Sequence, residues 1–388
     1  MQNRQPDSGG LGLRGLDRAG WVDLAEPAVL NLVETYLAVP HLEVEARLWD
    51  TGVTDVPGAR GTVRFFPHIL SEATNRLIRS GTIQRVTHHT KGAATAELLT
   101  PANTRLRKTA IITATRRKAM LYARFIRFST TFGAAGELVL RSSLADAMRA
   151  GHGYMPITSS PLFGEVARIG TGDRLPGALD SGAWVIPLDS ATGMPLPPHA
   201  LLVEVKNRRM TLYPRHSEVH QLLAKAALVQ RQHPELRVVP LLVCRRGHDR
   251  LFWMAKDLGF LVHATRHQYM TLPKKTPEEH VEQLRNELGL ADLTLIRTDK
   301  PARINNLFAS IIPKQAAATA ARWAAVGSQL GEHFDQLRRE DITDAVRNQT
   351  LAELHDDAEG LLDEAGVDEP ILVWALGEDH DEPSYDPL

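Results

Sequence analysis

The stretch Leu201-Leu202-Val203-Glu204-Val205-Lys206-Asn207 constrains the fold more than any other part of the chain. It is short, apolar and valine-rich, with Pro197-Pro198 before it and Arg208-Arg209 after it, the pattern of a buried strand. A strand sends alternate side chains to opposite faces. Leu201, Val203 and Val205 therefore share one face, and Leu202, Glu204 and Lys206 the other. A carboxylate and an ammonium thus stand side by side at the end of an apolar strand. Burying both is costly unless they pair or bind an ion. A cross-face salt bridge on a surface strand and a metal ligand beside a cationic stabiliser both answer that cost, and the surroundings decide between them.

Those surroundings read as a mixed α/β domain. Gly136 to Ala150 has Leu140, Leu144 and Met148 on one helical stripe, with Glu137 on the same side near the helix start. Two extended segments follow, Gly164–Ile169 and Gly177–Ile186, the second containing Asp180. The glycine-rich turn Gly170-Thr171-Gly172-Asp173 lacks a Gly-Lys-Ser/Thr and reads as a hairpin loop, not a phosphate cradle. After the opening strand, Ser217–Gln232 is helical, with Gln221 and Lys225 one turn apart. Arg237–Cys244 is a strand whose Pro240 argues for an edge or a bulge. A helix to Leu258 and a strand Phe260–His263 complete the order helix, three strands, helix, strand, helix, strand.

The chain has 388 residues, room for two or three domains. No run approaches the roughly 18 apolar residues of a membrane helix. Residues 1–20 lack the apolar core of a signal peptide and read as disordered. Cys244 is the single cysteine, which excludes an internal disulfide and a thiolate zinc cluster. A cytoplasmic protein with no membrane partner is the expectation. His-Glu-x-x-His, Gly-x-Ser-x-Gly and a Walker lysine are all missing.

Net charge is −1, but the charges are segregated. Between Arg76 and Arg127 there are twelve Lys/Arg and one acid, Glu97; from Leu351 onward there are thirteen Asp/Glu and no Lys/Arg. Such asymmetry suggests a polyanion partner at one end. Residues 21–103 read as helices at Pro27–Tyr36, His41–Trp49 and Pro67–Ser80, then a hairpin of Thr82–Thr87 and Ala96–Thr100 with a basic tip. This succession resembles a winged helix-turn-helix. The resemblance implies that Asn75, Arg76 and Arg79 face a DNA groove while Arg85 and Lys91 form a wing on phosphates. Residues 104–130 form a basic helical connector that includes Arg116, Arg117 and Lys118, eight cations without an acid, a composition suited to a phosphate backbone. Residues 273–367 read as helical and 368–388 as an acidic tail.

Asp180 followed by Glu204-Val205-Lys206, within that order of elements, resembles the PD-(D/E)xK nuclease superfamily of restriction enzymes and junction resolvases. The resemblance covers roughly 130–270, with a domain at 131–272, and implies a restriction-endonuclease-like αβββαβ core. It implies that Asp180 and Glu204 bind Mg2+ (or Mn2+), that Lys206 orients or activates the attacking water, that Glu137 is the helix carboxylate and that Gln221 is the polar helix position near the site. Glu165 is the reserve for Glu137. Ala178-Leu179-Asp180 stands where the family name has Pro-Asp. The implied activity is a metal-dependent endonuclease on double-stranded DNA, in defence against foreign DNA or in repair and recombination. Branched DNA or RNA as substrate, a non-catalytic DNA-binding protein, a homodimer and a place in a multi-protein system all stay open.

Overall fold

The computed structural model describes residues 16–59, 61–90, 95–103, 107–157, 164–187, 191–273, 276–297, 299–300, 302–304, 306–367 and 374. The chain divides into two units: residues 1–130, 272–295 and 378–388, and residues 131–271 with 296–377. The stretch expected as one helical region at 273–367 is thus shared between them. No helix among the described residues is long and apolar enough to cross a membrane.

In the first unit, α1 (Arg18–Tyr36) begins where the Asp17 side chain accepts the Gly20 N–H. The sequence places disorder up to residue 20 and a helix start at Pro27; instead Pro27 lies inside α1. An interior proline costs about 3 kcal/mol. The cap and the burial of Trp21, Val22 and Ala25 on the stripe that continues to Val29 and Val33 offset it. Next come β1 (Val39–Pro40) and α2 (His41–Glu45), which relaxes into a π-helical turn at Ala46–Thr51 where the sequence suggests one helix to Trp49. Then α3 (Pro67–Arg79), β2 (Ile83–His88), β3 (Ala96–Pro101) and α4 (Lys108–Ser129) follow. The strands lie antiparallel in the order β1-β3-β2, with Leu99 between Val39 and Arg85. Trp21, Val29, Trp49, Phe65, Phe66, Ile69 and Ile83 fill the core. A further helix, Glu279–Leu288, also belongs to this unit.

The second unit is a mixed α/β layer structure. Its elements are α5 (Phe132–Arg149), β4 (Tyr154–Pro156), β5 (Ser181–Val185), β6 (His199–Lys206), α6 (Ser217–Gln232), β7 (Arg237–Cys244), α7 (Asp249–Leu258) and β8 (Leu261–Ala264). The sheet order is β4-β5-β6-β7-β8; the β4–β5 and β5–β6 pairs are antiparallel, the β6–β7 and β7–β8 pairs parallel. Both faces of β6 are covered, which is why its sequence is apolar almost throughout. Leu201 and Val203 join a core with Val139, Leu140 and Leu144 of α5, while Ala200 and Leu202 join one with Val219, Leu222 and Leu223 of α6.

Three expectations change here. The first strand of the three is Tyr154–Pro156, too short to show a pattern in sequence, and Gly164–Ile169 contributes only a single bridge, Val166 to Leu179. The strand expected over Gly177–Ile186 is confined to Ser181–Val185. Pro240 lies in a strand with a neighbour on each side, but pairing with β8 begins only at Leu241. At Pro240 itself β7 has one partner, so the missing N–H is tolerated. Helices Ile312–Val326, Gly331–Leu337 and Asp344–Glu364 also belong to this unit, and Trp374 packs beside His355 at 5.3 Å between ring centroids. The acidic tail otherwise lies outside the described residues.

Candidate active site

Strand parity brings the site together. Glu204 and Lys206 share the face of β6 that α6 covers, and α6 presents Gln221 and Lys225 toward them. Lys206 Nζ donates to Glu204 Oε2 at 3.2 Å and to Gln221 Oε1 at 3.1 Å. Lys225 is buried; its Nζ donates to Glu204 Oε1 and, at 2.7 Å, to the Ala178 carbonyl. Glu204 is only 2% exposed. Each of its oxygens therefore meets an ammonium, which offsets the cost of burying a carboxylate.

Asp180 stands one residue before β5, whose Ser181 is level with Val203 of β6. Its Oδ2 accepts the Val205 N–H at 2.6 Å, so the carboxyl is bound to the strand that carries Glu204. Burial, and then the Glu204 charge, push the Asp180 carboxyl up to about 7, against the lowering effect of the Val205 N–H and Lys206. Two hard oxygen donors held side by side against their own repulsion fit a divalent cation, whose charge would relieve that repulsion.

The helix that carries Glu137 makes a close approach to β6, on the face opposite Glu204. A Cβ on Gly136 would lie 2.7 Å from Asn207 Cβ and 3.1 Å from Val205 Cγ1, so only glycine lets α5 sit this tightly on the end of β6. Asn207 is itself anchored, donating to the Phe132 and Tyr269 carbonyls at 2.7 Å each and accepting the Tyr269 N–H at 3.0 Å. Yet Glu137 pairs with Arg141 at 3.0 Å, and Arg141 donates to the Asp180 carbonyl at 3.0 and 3.2 Å. The expected carboxylate trio of Asp180, Glu204 and Glu137 is not seen: among the described residues no group of three His, Cys, Asp or Glu is placed to hold a metal ion. The reserve candidate Glu165 is exposed. Arg141, one turn beyond Glu137, is the position that sequence reasoning overlooked; an i,i+4 acid–base pair was its signal.

The nucleic-acid positions expected in the first unit are less uniform. Lys118 is buried, donating to both oxygens of Glu43 at 2.7 Å and stacking on the Tyr36 ring, so it is a core ion pair and not a phosphate contact. Arg117 pairs with Glu287 at 2.6 Å. Arg76 reaches Asp23 at 2.8 Å and Glu72 at 3.2 Å, which ties α3 to α1. Arg85 donates to Asn75 Oδ1 at 3.2 Å and Arg79 to the Asn75 carbonyl at 3.4 Å. Asn75, Arg79, Arg85 and Arg116 are not buried, and Lys91 lies outside the described residues. The acids that pair with Arg76, Arg117 and Lys118 lie outside the counted run, at Asp23, Glu72, Glu43 and Glu287.

No family model, no curated protein and no solved structure matches the chain.

Proposed function

We propose that the chain is a metal-dependent endonuclease that hydrolyses DNA phosphodiester bonds at the Asp180–Glu204–Lys206 site. The observation that carries this reading is the convergence of those three residues with Gln221 at the end of β6, within the succession α5-β4-β5-β6-α6-β7, the αβββαβ order of PD-(D/E)xK nucleases. Asp180 and Glu204 would hold the cation. Magnesium or manganese supplies, when bound, a water of lowered pKa and neutralising charge at phosphorus. Lys206 delivers a positive charge and a proton donor to the phosphate or the attacking water, and Gln221 fixes the direction of its ammonium. Lys225 holds Glu204 in place, and Arg141 holds the backbone of Asp180.

In the first unit, three helices followed by an antiparallel hairpin support a winged-helix reading, with Asn75, Arg79 and Arg85 at the surface. Restriction of foreign DNA and repair or recombination both suit such a pairing. One observation favours a second reading, a non-catalytic DNA-binding protein: Glu204 is already saturated by two lysines and Glu137 by Arg141.

Supercoiled plasmid incubated with the protein in magnesium, in manganese and in EDTA distinguishes the two. Metal-dependent nicking that disappears in Asp180→Ala and Lys206→Ala is the expected outcome. Tight binding with no scission in either metal would sink the nuclease reading.

A further inference from the structure

Register fixes what lies beyond the ends of the three parallel strands. Lys206 of β6 is level with Cys244 of β7, and Cys244 with Ala264 of β8. The chain continues as Asn207-Arg208-Arg209 after β6, as Arg245-Arg246 after β7 and as Thr265-Arg266 after β8. Every parallel strand therefore runs into arginine at the end of the sheet where Lys206 lies. Neighbouring strands are about 4.8 Å apart, so the row from β6 to β8 spans roughly 10 Å.

These turns are fastened to one another. The Arg245 side chain, 1% exposed, donates to the Arg209 carbonyl at 3.0 and 2.6 Å. The Arg266 N–H donates to the Arg245 carbonyl at 2.9 Å, and the Leu212 N–H to the Arg246 carbonyl at 3.0 Å. Arg266 is held at φ 56° with its side chain exposed. That left-handed conformation costs an ordinary residue on the order of 1–2 kcal/mol, and glycine or asparagine would avoid much of it. Arg208 and Arg215 are also exposed; Arg208 pairs with Glu218 at 2.6 Å, yet 62% of its side chain remains open to solvent. Residues 207–216 contain no acid and Asp249 is the one acid in 245–250, while Glu218, Glu340 and Asp344 line the same pocket as Arg215.

We propose that this arginine rim is the track for the phosphate backbone of duplex DNA, laying one strand across the ends of β6, β7 and β8 with the reacting phosphate at Lys206. The assignment rests on the reading of Asp180, Glu204 and Lys206 as the cutting site. Arginine's planar fork binds phosphate oxygens in pairs, and backbone-fastened turns hold the forks at set positions. Ligands of open α/β sheets also gather beyond the carboxyl ends of parallel strands.

The test is the salt dependence of duplex DNA binding in EDTA, read by fluorescence anisotropy. The unsubstituted protein is compared with one carrying Arg208→Gln, Arg215→Gln and Arg266→Asn, asparagine being chosen for its tolerance of positive φ. The slope of log K against log salt should fall by about 0.9 for each phosphate no longer neutralised, hence by roughly 2–3 in the triple variant. An unchanged slope in a variant that melts cooperatively at the original temperature overturns the rim. Should the triple variant misfold, exposed Arg215→Gln alone should still lower the slope by about 0.9; no change there is equally fatal. If the unsubstituted protein cuts DNA while the slope stays constant, the rim falls and the nuclease stands. If it cuts nothing while the slope falls as expected, the rim stands and the nuclease falls.

Discussion

Asp180 shows how much one position can carry. Its carboxyl, ordinarily near 3.8, is held up at about 7, first by burial and then by the Glu204 charge. The folded protein therefore binds this proton more tightly than the unfolded chain does. A group raised in this way favours folding most below its unfolded pKa, and the advantage is lost as pH rises from about 4 through 7. Asp180→Asn, which cannot ionise, should gain on the original protein across that window in EDTA: urea midpoints nearly equal at pH 4 should separate in the variant's favour at pH 8. A constant gap would mean that Asp180 titrates normally. Alternation along β6 made Glu204 and Lys206 legible as a pair in sequence, and one helical turn did the same for Gln221 and Lys225. Burial was not legible: nothing local distinguishes buried Lys118 or Lys225 from a solvated lysine.

Among the elements, those with long apolar runs were legible to the residue, as α6 and β7 show. Three-residue β4 was not, because its pairing with β5 supplies what its own sequence does not specify. The contact between α5 and β6 is equally silent in sequence, since a glycine inside a helix usually reads as a weakness. Here Gly136 is the point of closest approach. Gly136→Ala would place a methyl 2.7 Å from Asn207 Cβ, and Asn207 cannot yield without breaking its bonds to Phe132 and Tyr269. The substitution should destabilise the protein by about 1–3 kcal/mol, although alanine is the better helix former. An unaltered urea midpoint would show that α5 can slide.

Across the whole molecule, folding cancels part of the segregation of charge visible in sequence. The cations of α4 meet acids from α2 and from the Glu279–Leu288 helix: Lys118 meets Glu43, and Arg117 meets Glu287. Burial raises the Glu43 carboxyl and lowers the Lys118 ammonium, while each opposes the other's shift. Lys118→Met should cost about 3 kcal/mol of stability, because it removes the buried ammonium from Glu43 and leaves Arg47 to pair with that carboxylate, and Lys118→Met with Glu43→Gln should recover much of the loss. DNA binding should keep its salt slope in that double variant; a fall in slope would return Lys118 to the phosphate surface. The same sheet that arranges the site also guards the one thiol of the chain. Cys244 is buried level with Lys206, its thiol pushed up to about 12 by burial. An alkylating reagent can reach it only when β7 is pried out of the sheet, so the molecule carries its own stopwatch for the opening of its centre. Labelling should accelerate with urea in step with global unfolding. Rapid labelling in plain buffer would reveal a sheet that breathes locally, and with it a site assembled only part of the time.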